Sequence, residues 1–174
     1  MNDLRFALAT LTALSLLPAP AARAQAHPSM PAGMTHEQHM AMLKQRGDQA
    51  MGFDQDKATH HFRLAATGGA VEVSANDAAD VATRDQIRAH LKMIAAQFAD
   101  GIFDKPEETH AEVPPGVATM QARKASIAYV YEEMPNGGRV RITTSDAAAL
   151  AAVHDFLRYQ IREHATGDPL TIQK

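Results

Sequence analysis

Hydrophobic positions repeat with a helical period most clearly between Ser145 and Gly167. From Leu150, the residues Val153, His154, Leu157, Ile161 and His164 follow at i+3, i+4, i+7, i+11 and i+14, so one face carries four aliphatic side chains and two histidines. Ser145 reads as the N-cap with Asp146 in the first turn, and Gly167 as a left-handed stop after Arg162 and His164. A second stripe, Ile87, Leu91, Ile94 and Phe98, predicts a helix over 85–99 that ends at Gly101, with His90 at the edge of its apolar face. A third helix is predicted from Thr35 to about Gln49, where Thr35 and Gln38 have capping-box spacing. Its apolar residues are mostly Met40, Met42 and Leu43, so it is weakly amphipathic.

Elsewhere the period is two. Over 59–66, His60, Phe62 and Leu64 share one face while His61 and Arg63 share the other, and after Thr67-Gly68-Gly69 the residues Val71 and Val73 alternate with Glu72. A second hairpin pairs 126–132 with 139–144 through Pro135-Asn136-Gly137-Gly138, leaving Val140 and Ile142 on one face. Residues 101–119, rich in Pro and Glu, read as a loop. GGAVEVSAND (68–77) parallels GGRVRITTSD (137–146), each leading into a helix that carries a histidine. The expected fold is therefore α+β, a two-layer sandwich built as a duplicated ββα–ββα unit, with repeats at about 59–101 and 126–167. It has a four-stranded antiparallel sheet with two helices on one face. The other face is expected to be wet, with Arg63, Arg139 and Arg141 set against Glu72 in a charged ladder.

Composition changes the picture mainly at the N-terminus. Arg5, an apolar run from Phe6 to Leu17 and the small-residue site Ala22-Arg23-Ala24 form the pattern of a secretory signal peptide, 1–24, cleaved near Ala24. The expected product is periplasmic or secreted. The apolar run is too short for a bilayer-spanning helix, and no membrane span is expected. Residues 25–50 then read as a Met/His-rich tether and short helix, and 51–174 as a single domain. The formal charge is −3 for the chain. Removing Asp3, Arg5 and Arg23 leaves the exported form more acidic, with no basic block, so nucleic acid is a poor partner. There is no cysteine, which excludes thiolate metal sites, cysteine nucleophiles and c-type haem attachment. Histidine and methionine are abundant instead, nine of each.

These two residue types frame the candidate chemistry. HPSMPAGMTHEQHMAM (27–42) interleaves soft thioethers with imidazoles, a pattern suited to copper, and on a helix His36, His39 and Met40 converge at i, i+3 and i+4. Within the domain the candidate ligands are His60, His61, His90, His110, His154 and His164, with Met93 beside His90. His154 and His164 are about 15 Å apart along one helix and cannot share an ion. His60 and His61 point to opposite sheet faces. His90 and Met93 lie one turn apart, and His90, His154 and His60 form a conceivable site between the helices. Each histidine also reads as a core-edge side chain hydrogen-bonded to backbone. Asp104, Glu107, Glu108, His110 and Glu112 cluster hard oxygens around one imidazole, as a divalent-cation loop or a solvated one.

Met51-Gly52-Phe53-Asp54-Gln55 before His60-His61-Phe62, Pro114-Pro115-Gly116-Val117, Gly137-Gly138-Arg139-Val140, and Phe156-Leu157-Arg158 through Gln160-Ile161 to His164 and Thr166-Gly167-Asp168 carry a resemblance. Over about residues 51–168 the chain resembles a family of small uncharacterised exported bacterial proteins. That resemblance implies an exported domain and attaches no activity to it. The functional expectation is an exported metal-binding protein for copper capture or tolerance, with zinc as the second metal. A small-ligand or protein-binding accessory module is the alternative. A hydrolase comes third, because no nucleophile elbow, HExxH, P-loop or dinucleotide fingerprint is present, so an enzyme is not the default.

Overall fold

Short-range capping chemistry sets the element boundaries. The computed structural model describes residues 33–172, so the signal-peptide reading of 1–24 and most of the tether fall outside the described residues. Thr35 and Gln38 close a capping box at the start of α1 (His36–Met51), which Gly52 ends in a left-handed conformation. Leu43, Gly47 and Ala50 are buried on it. The helix therefore belongs to the same compact unit as the rest of the described residues.

Two hairpins follow the same plan. β1 (Ala58–Ala65) and β2 (Gly68–Ala75) precede α2 (Val81–Ala99), and β3 (Ile127–Met134) and β4 (Gly137–Thr144) precede α5 (Ala147–Glu163). The four strands form one antiparallel sheet in the order β1-β2-β4-β3. The strand bounds of the second hairpin, 127, 134, 137 and 144, each lie 69 positions after those of the first, 58, 65, 68 and 75. The central register has the same symmetry: Gly68 faces Thr143 as Gly137 faces Ser74. Phe62, Val73, Val140 and Ile142 from the sheet join Ile87, Leu91 and Ile94 of α2 and Val153, Phe156 and Leu157 of α5 in one core cluster.

A glycine explains how closely α5 approaches. A Cβ at Gly69 would stand 2.3 Å from Leu157 Cδ1 and 2.2 Å from the Arg63 carbonyl oxygen, so only hydrogen fits between strand and helix. The other sheet face carries the expected ladder: Arg63 pairs with Glu72, Arg139 with Glu72 and Glu132, and Arg141 with Glu132. The arginines are exposed and the glutamates half-buried, so each pair is worth about 0–1 kcal/mol and solvates the face more than it stabilises it.

Three boundaries differ from the sequence expectation. Asp146, not Ser145, caps α5: its carboxylate accepts the N–H groups of Ala148 and Ala149, an ionised acceptor at the positive helix end. The helix stops at His164, three residues before Gly167. Asp80 caps α2 in the same way, accepting from Thr83, so that helix starts at residue 81. The expected loop at 101–119 holds α3 (Asp104–His110) and the start of α4 (Val117–Ala122). Proline misleads there, because Pro106 occupies the first turn of α3, where no backbone donor is needed. Phe103, Val117 and Met120 tie the segment to the core.

Candidate functional site

Four elements bring four imidazoles to one end of the core. His60 comes from the inner face of β1, His90 from the flank of the α2 stripe, His110 from the last residue of α3, and His164 from the C-cap of α5. All four line a cavity of about 70 Å³, together with Met51 and Gln160. His164 is the hub. Its ring stacks on His60 with centroids 5.7 Å apart and planes 13° from parallel, and meets His110 edge-on at 5.1 Å. Phe53 joins the group, stacked on His60 at 6.0 Å and edge-on to His90 at 5.8 Å.

Burial fixes the charge state of the cluster. Desolvation, with repulsion from His61, pushes His60 down to about 4; desolvation, with repulsion from His60 and Lys105, does the same for His90. His110 is also lowered to about 4, because burial outweighs its hydrogen bond to Gln160. Burial and then the neighbouring His60 and His110 hold His164 well below the ordinary histidine value. At neutral pH the cavity is therefore lined by uncharged imidazoles.

Their ring nitrogens are under-used. His110 Nε2 lies 2.9 Å from Gln160 Oε1, which puts the proton on Nε2 and leaves Nδ1 as a lone pair. Nδ1 of His110, Nε2 of His60, Nδ1 of His90 and Nε2 of Gln160 are buried without a hydrogen-bond partner. Buried polar atoms are ordinarily satisfied, and four unsatisfied ones around one cavity point to a polar occupant. Beside the cavity runs a groove lined by Glu37, Met40, Thr59 and Thr166, in which His60 and His164 also appear. The stacked imidazole pair thus forms a wall common to the buried cavity and the outer groove, and Met40 of α1 stands on the groove side.

Several expected ligands are used otherwise. His154 Nε2 donates to the carbonyl oxygens of Ala65 and Gly68, so it pins the β1–β2 turn to α5 and does not join His60 and His90. Met93 is exposed while His90 is turned inward against Phe53, and the two do not share the cavity. His61 Nδ1 faces Asp168 at 3.0 Å on the other side of the sheet. The trio on α1 also separates: His36 is exposed, His39 Nε2 sits 3.1 Å from Glu163 Oε2, and Met40 faces the groove. The carboxylates of the expected cation loop scatter, with Glu108 on Lys105 and Glu112 accepting from Tyr159, and His110 turns away into the cavity.

Met51 and Gln160 are the cavity residues that sequence spacing does not single out; His110 is expected as a ligand, but grouped with the 104–112 carboxylates and not with this cavity. The one local signal is on α5, where Phe156, Gln160 and His164 follow at i, i+4 and i+8 and all face the cavity. Among the described residues, no group of three or more His, Asp or Glu is already arranged to hold a metal ion, and no helix is long and apolar enough to cross a membrane. No family model, curated protein or solved structure matches the chain.

Proposed function

We propose that this is an exported metal-binding protein whose metal enters the cavity between His60, His90, His110 and His164, copper or zinc being the ions suited to such donors. The observation that carries the reading is the set of neutral imidazoles, His110 buried and the others half-buried, with buried, unpartnered ring nitrogens on His60, His90 and His110 around one small space. Neutral imidazole is the metal-binding form of histidine, and protonation does not compete with a metal here until well below neutral pH. Gln160 supports the reading from outside the donor set, since a hydrogen bond to one ring nitrogen orients the other.

Cavity size favours an ion over an organic ligand. Small-molecule sites run to about 300–1,000 Å³, whereas about 70 Å³ accommodates only a few atoms. The groove past Met40 is the way in, and the Met/His-rich 27–42 segment supplies soft donors on that side of the sequence. The leader pattern of 1–24 and the resemblance to exported bacterial proteins support an exported compartment.

Calorimetric or competition titration of the chain from Gln25 with copper and with zinc tests the proposal. One tight equivalent is expected, weakened at least tenfold in the His60→Gln/His164→Gln variant. Binding that this variant leaves unchanged contradicts the cavity as the site.

A further inference from the structure

We infer that the cavity selects copper(I) over divalent ions, an inference that rests on the metal-binding reading above. The first reason is charge. The lining includes Met51 and four uncharged imidazoles but no Asp or Glu. The cost of taking an ion out of water grows with the square of its charge, so a dication faces a fourfold larger penalty than a monocation in a site with no anionic ligand to offset it. The carboxylates at this end of the fold are committed elsewhere, Glu112 to Tyr159 and Glu163 to His39.

The second reason is ligand type and number. Thioether sulfur is a soft donor that favours copper(I) and adds little for zinc(II). Zinc sites are ordinarily four-coordinate and tetrahedral, whereas copper(I) is satisfied by fewer donors. Among the described residues no three His, Asp or Glu already converge, but His164 meets His110 edge-on, and Met51 lines the same space. Pairs of imidazoles with one thioether suit the less demanding ion.

The test is an anaerobic titration of the chain from Gln25 with copper(I) against a chromogenic copper(I) chelator, beside a zinc(II) titration against a fluorescent zinc indicator. Copper(I) is expected to bind at least a hundredfold more tightly than zinc(II). Met51→Leu should weaken copper(I) at least tenfold and leave zinc(II) unchanged. The 27–42 segment is present in the parent and in Met51→Leu alike, so its copper binding cancels between those two chains, and the preference of the cavity for copper(I) over zinc(II) is read from the ring shifts of its own histidines. Copper(I) is diamagnetic, and ring ¹⁵N shifts of His60, His110 and His164 should move on loading. Circular dichroism checks that each variant folds; Met51→Leu is close in volume to the parent and keeps the test valid if a histidine variant does not. Comparable zinc(II) affinity, or a Met51→Leu variant with undiminished copper(I) binding, overturns the selectivity and leaves the metal reading standing. Failure of every metal to move the cavity histidines overturns both.

Discussion

A histidine packed against other histidines and aromatic rings is held uncharged by its surroundings, and the fold must bear that constraint as pH falls. His60, His90 and His110 titrate at about 4 in the folded chain, against the usual 6.5 when unfolded. Between those values the unfolded chain binds more protons, so stability rises with pH through the window and is lost as pH falls from about 6.5 toward about 4. Each such histidine contributes a slope of about 1.4 kcal/mol per pH unit. His90→Gln should remove one share of that slope, read from urea midpoints at pH 7, 5.5 and 4.5; an unaltered slope would show that His90 does not carry the burial penalty. His154 behaves differently because its partners are two backbone carbonyls. Replacement by leucine should cost about 1–3 kcal/mol through the unpaired Ala65 and Gly68 oxygens, with metal affinity unchanged in titration. A metal defect in that variant would contradict the structural role.

At the scale of elements, helix periods and strand alternation were legible because they depend on neighbours three or four residues away, or two. The α5 stripe, the α2 stripe, both hairpins and the charged ladder of Arg63, Glu72, Arg139 and Arg141 stand where patterning puts them. The site was only partly legible. His60, His90 and His164 are visible as histidines on or beside apolar faces, but their meeting with His110 depends on how α3 packs against α1, and proline and glutamate in 101–119 hide that helix. His154 lies on the apolar face as fully as any of the others; what removes it from the site is a pair of carbonyls 86 and 89 residues away, which no local pattern records. The Gly-Gly turn carries a prediction of its own. Gly69→Ala forces a methyl group into Leu157 and the Arg63 carbonyl, and should cost about 1–3 kcal/mol or more in urea unfolding. A neutral result would mean that α5 can lift from β2 without loss.

For the whole molecule, the sheet and its helices form a scaffold with one wet face and one histidine-lined end, and α1 carries Met40 to the groove beside that end. If the chain is exported as proposed, protein recovered from the periplasm should begin at or within a residue or two of Gln25, which N-terminal sequencing reads directly; an intact Met1 species in the cytoplasm would remove the compartment. The central claim is that the imidazoles of His60, His90, His110 and His164 are donors to a metal and not merely core side chains. Crystals of the chain loaded anaerobically with copper(I), measured at the copper absorption edge, test it most directly. The account predicts one strong anomalous peak inside the cavity, about 2.0–2.1 Å from ring nitrogens of at least two of these histidines. Anomalous density confined to residues 27–42 or to the outer surface, with the cavity histidines unchanged, would contradict it.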